Sequence, residues 1–253
     1  MGEQVAILDV TFRSTAMNHD VSYTLFVPEQ GDTPYPVLFQ LHGLGDDHQS
    51  WLHKSKLSMN ARDYPIAVMM PSTETGAYLN WRSGERLFRQ RYEDLIMIDI
   101  TNHLKRHFPV TDGPWAIGGL SMGGYGAMRL GLKYPDRFAS IWAHSSAFHI
   151  GDMVDASLLG EDGLDDANAY YHADRLKSSG VTPPVISFDC GVDDQLIEHN
   201  RDFHRHLESI GLEHYYAEHP GAHTWDYWDE HVKEALEQHA RVFGIGRVER
   251  HFT

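Results

Sequence analysis

The stretch Trp115-Ala116-Ile117-Gly118-Gly119-Leu120-Ser121-Met122-Gly123-Gly124 constrains this chain more than any other. A short apolar run enters a cluster of glycines, and the helical pattern Met122 to Lys133 follows before Tyr134-Pro135 stops it. A strand that turns into a helix within one residue leaves no room for side chains beside the turn, hence the flanking glycines. Such a junction belongs to a fold in which strands feed helices packed on a sheet.

The rest of the chain repeats that alternation. Val37 to Leu41, Ile66 to Met70, Ser140 to Ala143, Val185 to Phe188 and Tyr215 to Ala217 are short apolar runs, as expected of strands buried on both faces of a parallel sheet. Val5, Ile7, Val10 and Phe12, then Tyr23, Leu25 and Val27, flank a polar break at Asn18-His19-Asp20 and predict a hairpin at the start. Helices are expected over 92–107, where Ile96, Ile100 and Leu104 recur every four residues, and over 196–210 and 226–243. The expected class is α/β, one domain over residues 1–253, with a mostly parallel central sheet and helices on both faces. Residues 150–182 exceed an ordinary strand-to-helix connection and predict a small helical insertion.

Composition narrows the partners. Asp plus Glu is 36 against 21 Lys plus Arg, a net charge of −15, which disfavours phosphate backbones and anionic membrane surfaces. Cys190 is the only cysteine, so the fold cannot rest on an internal disulfide. No basic start precedes an apolar run at the N-terminus, and no apolar stretch approaches the ~18 residues of a membrane span, so a cytoplasmic location is expected. Homodimers are common among oligomers, and nothing in the sequence locates such an interface.

The glycine-flanked turn also carries chemistry. Gly119-Leu120-Ser121-Met122-Gly123 matches G-x-S-x-G, which presents a serine hydroxyl at the sheet edge with the Met122 N–H aimed at the same spot. A serine hydroxyl is a weak nucleophile and needs a base. His223 sits in Pro220-Gly221-Ala222-His223-Thr224-Trp225, a loop between the last strand and the last helix, unlike the histidines on charged helices. The acid that orients it is expected after the strand Val185–Phe188, at Asp193 or Asp194. Developing negative charge on a carbonyl oxygen needs fixed N–H donors. Met122 supplies one, and His42-Gly43-Leu44-Gly45-Asp46 follows an early strand and offers the Leu44 N–H as the second. Trp51, Trp81, Tyr125 and Trp225 either line a pocket for an aryl or short acyl group or pack in the core, and Asn80-Trp81-Arg82-Ser83-Gly84 is a candidate binding loop. No H-E-x-x-H, paired cysteines, EF-hand spacing or phosphate-binding glycine pattern occurs, so neither metal nor cofactor is expected.

Taken together, His42-Gly43-Leu44-Gly45-Asp46, Gly119 to Ala127, Cys190-Gly191-Val192-Asp193-Asp194 and His223-Thr224-Trp225-Asp226-Tyr227-Trp228 resemble the esterase D-like branch of the α/β hydrolases. That branch includes S-formylglutathione hydrolases, tributyrin-type, feruloyl and acetyl xylan esterases, and the antigen 85 mycolyltransferases. The resemblance runs from about Phe12 to Phe243. It implies the α/β-hydrolase fold, with the insertion over the active site. The implied triad is Ser121, Asp194 and His223, with Leu44 and Met122 as oxyanion donors. It also implies a serine carboxylesterase acting on short-chain acyl, acetyl or cinnamoyl esters of small molecules, carbohydrate-linked ones included. One departure bears on substrate. S-formylglutathione hydrolases carry a cysteine soon after the oxyanion-loop leucine, where this chain has Gly45, Asp46 and Asp47. Thioester hydrolysis, acyl transfer and a non-catalytic binding module are the alternative readings.

Overall fold

The computed structural model describes residues 5–28, 31–82, 90–148, 156–160 and 163–248. The chain opens with an antiparallel hairpin, β1 (Val5–Arg13) and β2 (Asp20–Pro28). β3 (Val37–Leu41) enters the interior, and two short helices follow, α1 (Ser50–Lys54) and α2 (Leu57–Ala61). After β4 (Ala67–Pro71) comes a helical stretch made of α3 (Tyr92–Asp94), a π-helical segment Leu95–Ile100 and α4 (Thr101–His107). β5 (Trp115–Leu120) runs straight into α5 (Met122–Lys133), and β6 (Phe138–His144) follows. The 150–182 region holds α6 (Gly163–Ala167) and α7 (Ala169–Ser179). The chain ends with β7 (Val185–Gly191), α8 (Ile197–Ser209), β8 (Tyr215–His219) and α9 (Trp225–Val242).

All these strands join one eight-stranded sheet in the order β1-β2-β4-β3-β5-β6-β7-β8. Pairing is antiparallel through the hairpin and at β2–β4, and parallel from β4 to β8. Every residue of β3, β4 and β5 is buried, as strands covered on both faces require. Alternate residues serve two cores. Phe39, Ile117 and Ile141 meet Met128 of α5 and Phe203 of α8 on one face. Leu38, Val68 and Ala116 meet Trp51, Leu57 and the Val232 and Leu236 of α9 on the other. No described helix is long and apolar enough to cross a membrane.

Two departures from the sequence reading have local causes. The four-residue repeat over 92–107 predicts a continuous α-helix, yet Leu95–Ile100 is π-helical, and the Thr101 hydroxyl donates to Ile96 O, five residues back, at 3.0 Å. An inserted residue of this kind shifts the apolar face without unwinding the helix. α1 and α2 escape a periodicity reading because each spans only five residues.

The described part of the insertion is tied to α5 by buried charge. Arg129 is fully buried on α5 and donates to Glu93 Oε2 at 2.5 Å and to Asp166. Lys133 reaches Glu93 at 2.7 Å and Asp166 at 2.5 Å, and Tyr134 also donates to Glu93. Tyr125 donates its hydroxyl to Ala167 O at 2.5 Å. The insertion is thus clamped to α5 about one to three turns beyond Ser121.

Burial alone would raise the Glu93 pKa, but the adjacent Arg129 and Lys133 charges and the bonds from Lys133 and Tyr134 bring it down to about 2. A depressed carboxylate contributes stability above its unfolded pKa of 4.5 and loses it as pH falls toward 2. That contribution is on the order of 3 kcal/mol. Denaturant unfolding of Glu93→Gln should show a protein weaker by roughly 3 kcal/mol near neutrality, because Arg129 loses a buried partner. The variant should also lose less stability than wild type as pH falls from 5 to 2. Parallel acid profiles for the two proteins would refute this role.

Candidate functional site

The sharpest backbone feature lies between β5 and α5. Ser121 has φ 53° and ψ −117°, a conformation that costs a non-glycine residue roughly 1–3 kcal/mol. The surroundings enforce it: Ser121 N donates to His144 O at 2.9 Å, and Tyr125 N donates to Ser121 O at 3.0 Å to start α5. Neighbouring backbones leave no choice of residue. A Cβ on Gly119 would come within 2.5 Å of Gly123 O, and one on Gly123 within 2.5 Å of Leu41 O and His42 O. The turn therefore projects the Ser121 side chain at the carboxyl edge of the sheet, half-buried.

His223 comes from the loop between β8 and α9. Its Nε2 lies 3.0 Å from Ser121 Oγ, and its Nδ1 lies 2.9 and 3.0 Å from the two Asp194 oxygens. An ionised carboxylate only accepts, so Nδ1 carries the hydrogen and the Nε2 lone pair faces the serine hydroxyl. The ring packs edge-on against Trp228, centroids 4.9 Å apart at 90°. Asp194 sits in the turn after β7, 2% exposed, and also accepts from Leu196 N at 2.7 Å. Burial pushes its pKa up, but the bonds from His223 and Leu196 N–H outweigh that and hold it below the usual carboxylate range. Asp193, the other candidate, is exposed, with its N–H on Gly221 O at 2.9 Å.

The loop after β3 approaches from the opposite side. A Cβ on Gly43 would lie 3.6 Å from Ser121 Cβ. His42 is buried beneath this loop. Its Nε2 accepts from Thr73 N at 3.0 Å, so its Nδ1–H donates to Gly43 O at 2.7 Å. Burial lowers its pKa despite that bond to Gly43, and the ring is neutral. Asp46 N adds a second bond to Gly43 O at 3.2 Å. In a trans peptide the N–H points opposite the C=O. Pinning Gly43 O therefore pins the Leu44 N–H, which belongs to the same peptide unit. The Met122 N–H is the first of α5, without an intrahelical acceptor. The Leu44 N–H is thus held in one direction and the Met122 N–H is unused within α5, on the two loops that meet at Ser121.

The four aromatic candidates separate. Trp51 is 1% exposed and donates to Leu41 O at 2.9 Å, and Tyr125 is fully buried with its hydroxyl on Ala167 O; both pack in the core. Trp225 is half-buried two residues past His223, edge-on to Trp51 and Trp228, with Lys54 Nζ 5.5 Å from its ring centroid. Trp81 is half-buried, donates to Gly76 O at 2.8 Å and bridges to Leu159 of the insertion. Ser83 and Gly84 of the proposed binding loop lie outside the described residues.

Two supporting elements escape a motif search. One is His42, whose place before Gly43 was the only available hint. The other is Asp189 on β7, 1% exposed, which accepts from Trp142 Nε1 at 2.6 Å, His144 Nδ1 at 2.7 Å and the Tyr227 hydroxyl at 2.8 Å. Burial works to raise its pKa, yet the His144 ring and these three bonds hold it below the usual range. Asp189 ties β6, whose His144 O receives the Ser121 N–H, to the first turn of α9 beside His223.

With this geometry in view, similarity to known proteins is informative. Residues 14–239 match the model of the Esterase family. An acetyl esterase from Caldicellulosiruptor saccharolyticus is 30% identical over 274 residues, covering 94% of this chain and 99% of that protein. The structure superposes on S-formylglutathione hydrolase from Staphylococcus aureus with a TM-score of 0.80 at 24% identity, over 93% of this chain and 98% of the other. A ferulic acid esterase gives 0.80 at 22% identity, over 96% and 100%. The fold is that of the α/β hydrolases.

A serine, a base and two N–H donors in this arrangement should react with a fluorophosphonate, whose tetrahedral adduct mimics acyl attack. Mass spectrometry of the labelled protein should place one adduct on Ser121. The labelling rate should fall by at least about 10²-fold in His223→Ala. Asp193→Ala should label like wild type and Asp194→Ala far more slowly. Equal rates in the two aspartate variants would remove Asp194 from the site.

Proposed function

The chain belongs to the Esterase family and is a hydrolase of carboxylic esters, and on that premise we propose that it is a serine carboxylesterase for short-chain acyl, acetyl or cinnamoyl esters of small alcohols or sugars. The observation that carries the reading is the continuous line from Asp194 through His223 to Ser121, with contacts of 2.9 and 3.0 Å.

Ser121 Oγ attacks the ester carbonyl carbon as His223 Nε2 removes its proton. The carbonyl electron pair moves onto oxygen, where the Leu44 and Met122 N–H groups receive the charge; each such donor contributes about 3 kcal/mol to lowering the barrier. Asp194 holds the ring in the working tautomer and stabilises the imidazolium. When the intermediate collapses, the C–O bond to the alcohol breaks and the alcohol leaves with the His223 proton. Water then adds to the acyl-enzyme, giving its proton to Nε2, and the acid departs as Ser121 recovers its hydrogen. His42 acts on this site only through Gly43 O, as a positioning residue. Trp225, beside His223 and half-exposed, is the aromatic best placed to meet the substrate.

Similarity to an acetyl esterase supports a short acyl group as substrate, and the absence of a cysteine after Leu44 separates this oxyanion loop from that of S-formylglutathione hydrolases.

Hydrolysis of p-nitrophenyl acetate through octanoate, with methyl ferulate, xylan acetate and S-formylglutathione in parallel, tests the substrate range. Short acyl or cinnamoyl esters should turn over fastest; a thioester rate far above the others would replace the substrate assignment. Ser121→Ala should lose about 10⁶-fold in kcat. Asp194→Asn should lose about 10⁴-fold. Because Asp194 titrates below the ordinary carboxylate range, it is ionised on the acid side of the profile. The acid limb of the wild-type activity profile should accordingly not report protonation of Asp194. Ester turnover by Ser121→Ala within tenfold of wild type would overturn the mechanism.

A further inference from the structure

Beyond the ester-cleaving site, a second group of chemistry-bearing side chains gathers where β8 meets α9. His219 is the last residue of β8, and His231 and Glu234 lie one turn apart on α9. One ring nitrogen of each histidine and one Glu234 oxygen all lie within 4.8 Å of one another, the one such cluster among the described residues. The two imidazoles stack, centroids 4.1 Å apart at 19°, and His231 Nδ1 is 3.1 Å from Glu234 Oε1. His219 Nε2 is buried and has no hydrogen-bond partner among the described residues. A buried polar nitrogen left unpaired is costly.

We propose that His219, His231 and Glu234 bind one divalent transition-metal ion, zinc by preference. Two imidazoles and a carboxylate suit zinc, whereas magnesium and calcium take oxygen donors. Bound at ~2.1 Å in tetrahedral geometry, the three donors would stand roughly 3.4 Å apart. Closing the present span of up to 4.8 Å to that spacing requires the two stacked imidazoles to turn so that their lone pairs converge, with Glu234, whose side chain is 42% exposed, following. The ion would take one ring nitrogen of His219 and neutralise the Glu234 charge.

Its place in the fold gives it a structural role. His219 precedes the 220–224 loop that carries His223, and α9 follows that loop. An ion held by His219, His231 and Glu234 would pin both ends of the loop together. The tie reaches further, because the Tyr227 ring packs on His231 at 4.4 Å and the Tyr227 hydroxyl donates to Asp189. His231 lies ~9 Å along α9 from Trp225. The ion would brace the frame of the base rather than polarise the ester. A search for contiguous metal motifs passes over this site because its third ligand comes from a strand.

The test is zinc chloride titrated calorimetrically into chelator-treated protein, with cobalt(II) absorption reporting the donor set and thermal unfolding followed in the same samples. One zinc should bind per chain and raise Tm. His219→Ala and Glu234→Gln should each weaken binding by at least about 100-fold, since loss of an outer-shell partner alone costs 10–100-fold, and should abolish the Tm rise. Glu234→Gln keeps the shape of a half-exposed side chain, so it reports even if His219→Ala folds poorly. His204→Ala, in the separate His204–His214 pair, should bind like wild type. The site would be refuted if zinc failed to bind the wild type, or if both ligand variants bound with wild-type stoichiometry and affinity. Because binding, spectrum and Tm are read without substrate, failure here leaves the ester-hydrolase assignment standing, and failure of that assignment leaves this site standing.

Discussion

Everything at the candidate site depends on a backbone-to-backbone contact. β5 and α5 meet with Gly119 against Gly123, and Gly123 lies on the carbonyls of Leu41 and His42 at the end of β3. A single methyl group at either glycine would force the strand–helix junction off the sheet. The closeness accomplishes two things at once. It forces Ser121 into its positive-φ turn, and it brings the loop that bears Leu44 alongside the first N–H of α5. The strain at Ser121 is held by backbone bonds on both sides, to β6 and into α5. The placement of Ser121 and of the Leu44 and Met122 N–H groups therefore follows from one packing constraint.

Three buried carboxylates show how the fold handles charge in its interior. Each is driven toward neutrality by burial, and each is kept ionised by a different kind of partner. Glu93 has full cationic partners in Arg129 and Lys133. Asp189 relies on His144, an indole and a phenol. Asp194 relies on His223 and a backbone N–H. Only in the last does one partner keep a free nitrogen facing a hydroxyl, and this distinguishes a site that can move a proton from charge pairs that merely hold helices and strands together.

Much of this was legible in the sequence, for identifiable reasons. The apolar runs and their glycine-bounded turn predict the parallel sheet because strands buried on both faces cannot hide their composition. Ser121 and His223 stand out because each occupies a loop at a strand end that the pattern locates. Asp194 could not be told from Asp193 by pattern alone, since both follow the same strand; burial of one and exposure of the other separates them. His42 and Asp189 were invisible as supports because their roles lie in side chains that cross between strands. Trp51 and Tyr125 show the converse limit, since an aromatic near the site in sequence reads the same whether it faces the substrate or, as here, the core.

The strand order explains why residues so far apart in the chain can act together. Ser121, Asp194 and His223 follow β5, β7 and β8, and parallel strands deliver all three to the same edge of the sheet. β6 lies between β5 and β7, so the serine and the aspartate start about two strand spacings apart, near 10 Å. That gap is too wide for any direct bond, and an imidazole with a hydrogen bond at each nitrogen is the side chain that fills it. β6 is not idle in between: His144 O takes the Ser121 N–H, and Ser145 N donates to Asp189 O on the far side. Inserting or removing a strand between β5 and β7 would break the line of contacts from Asp194 through His223 to Ser121 even with all three residues retained. The topology is therefore as much a part of the site as the three side chains are.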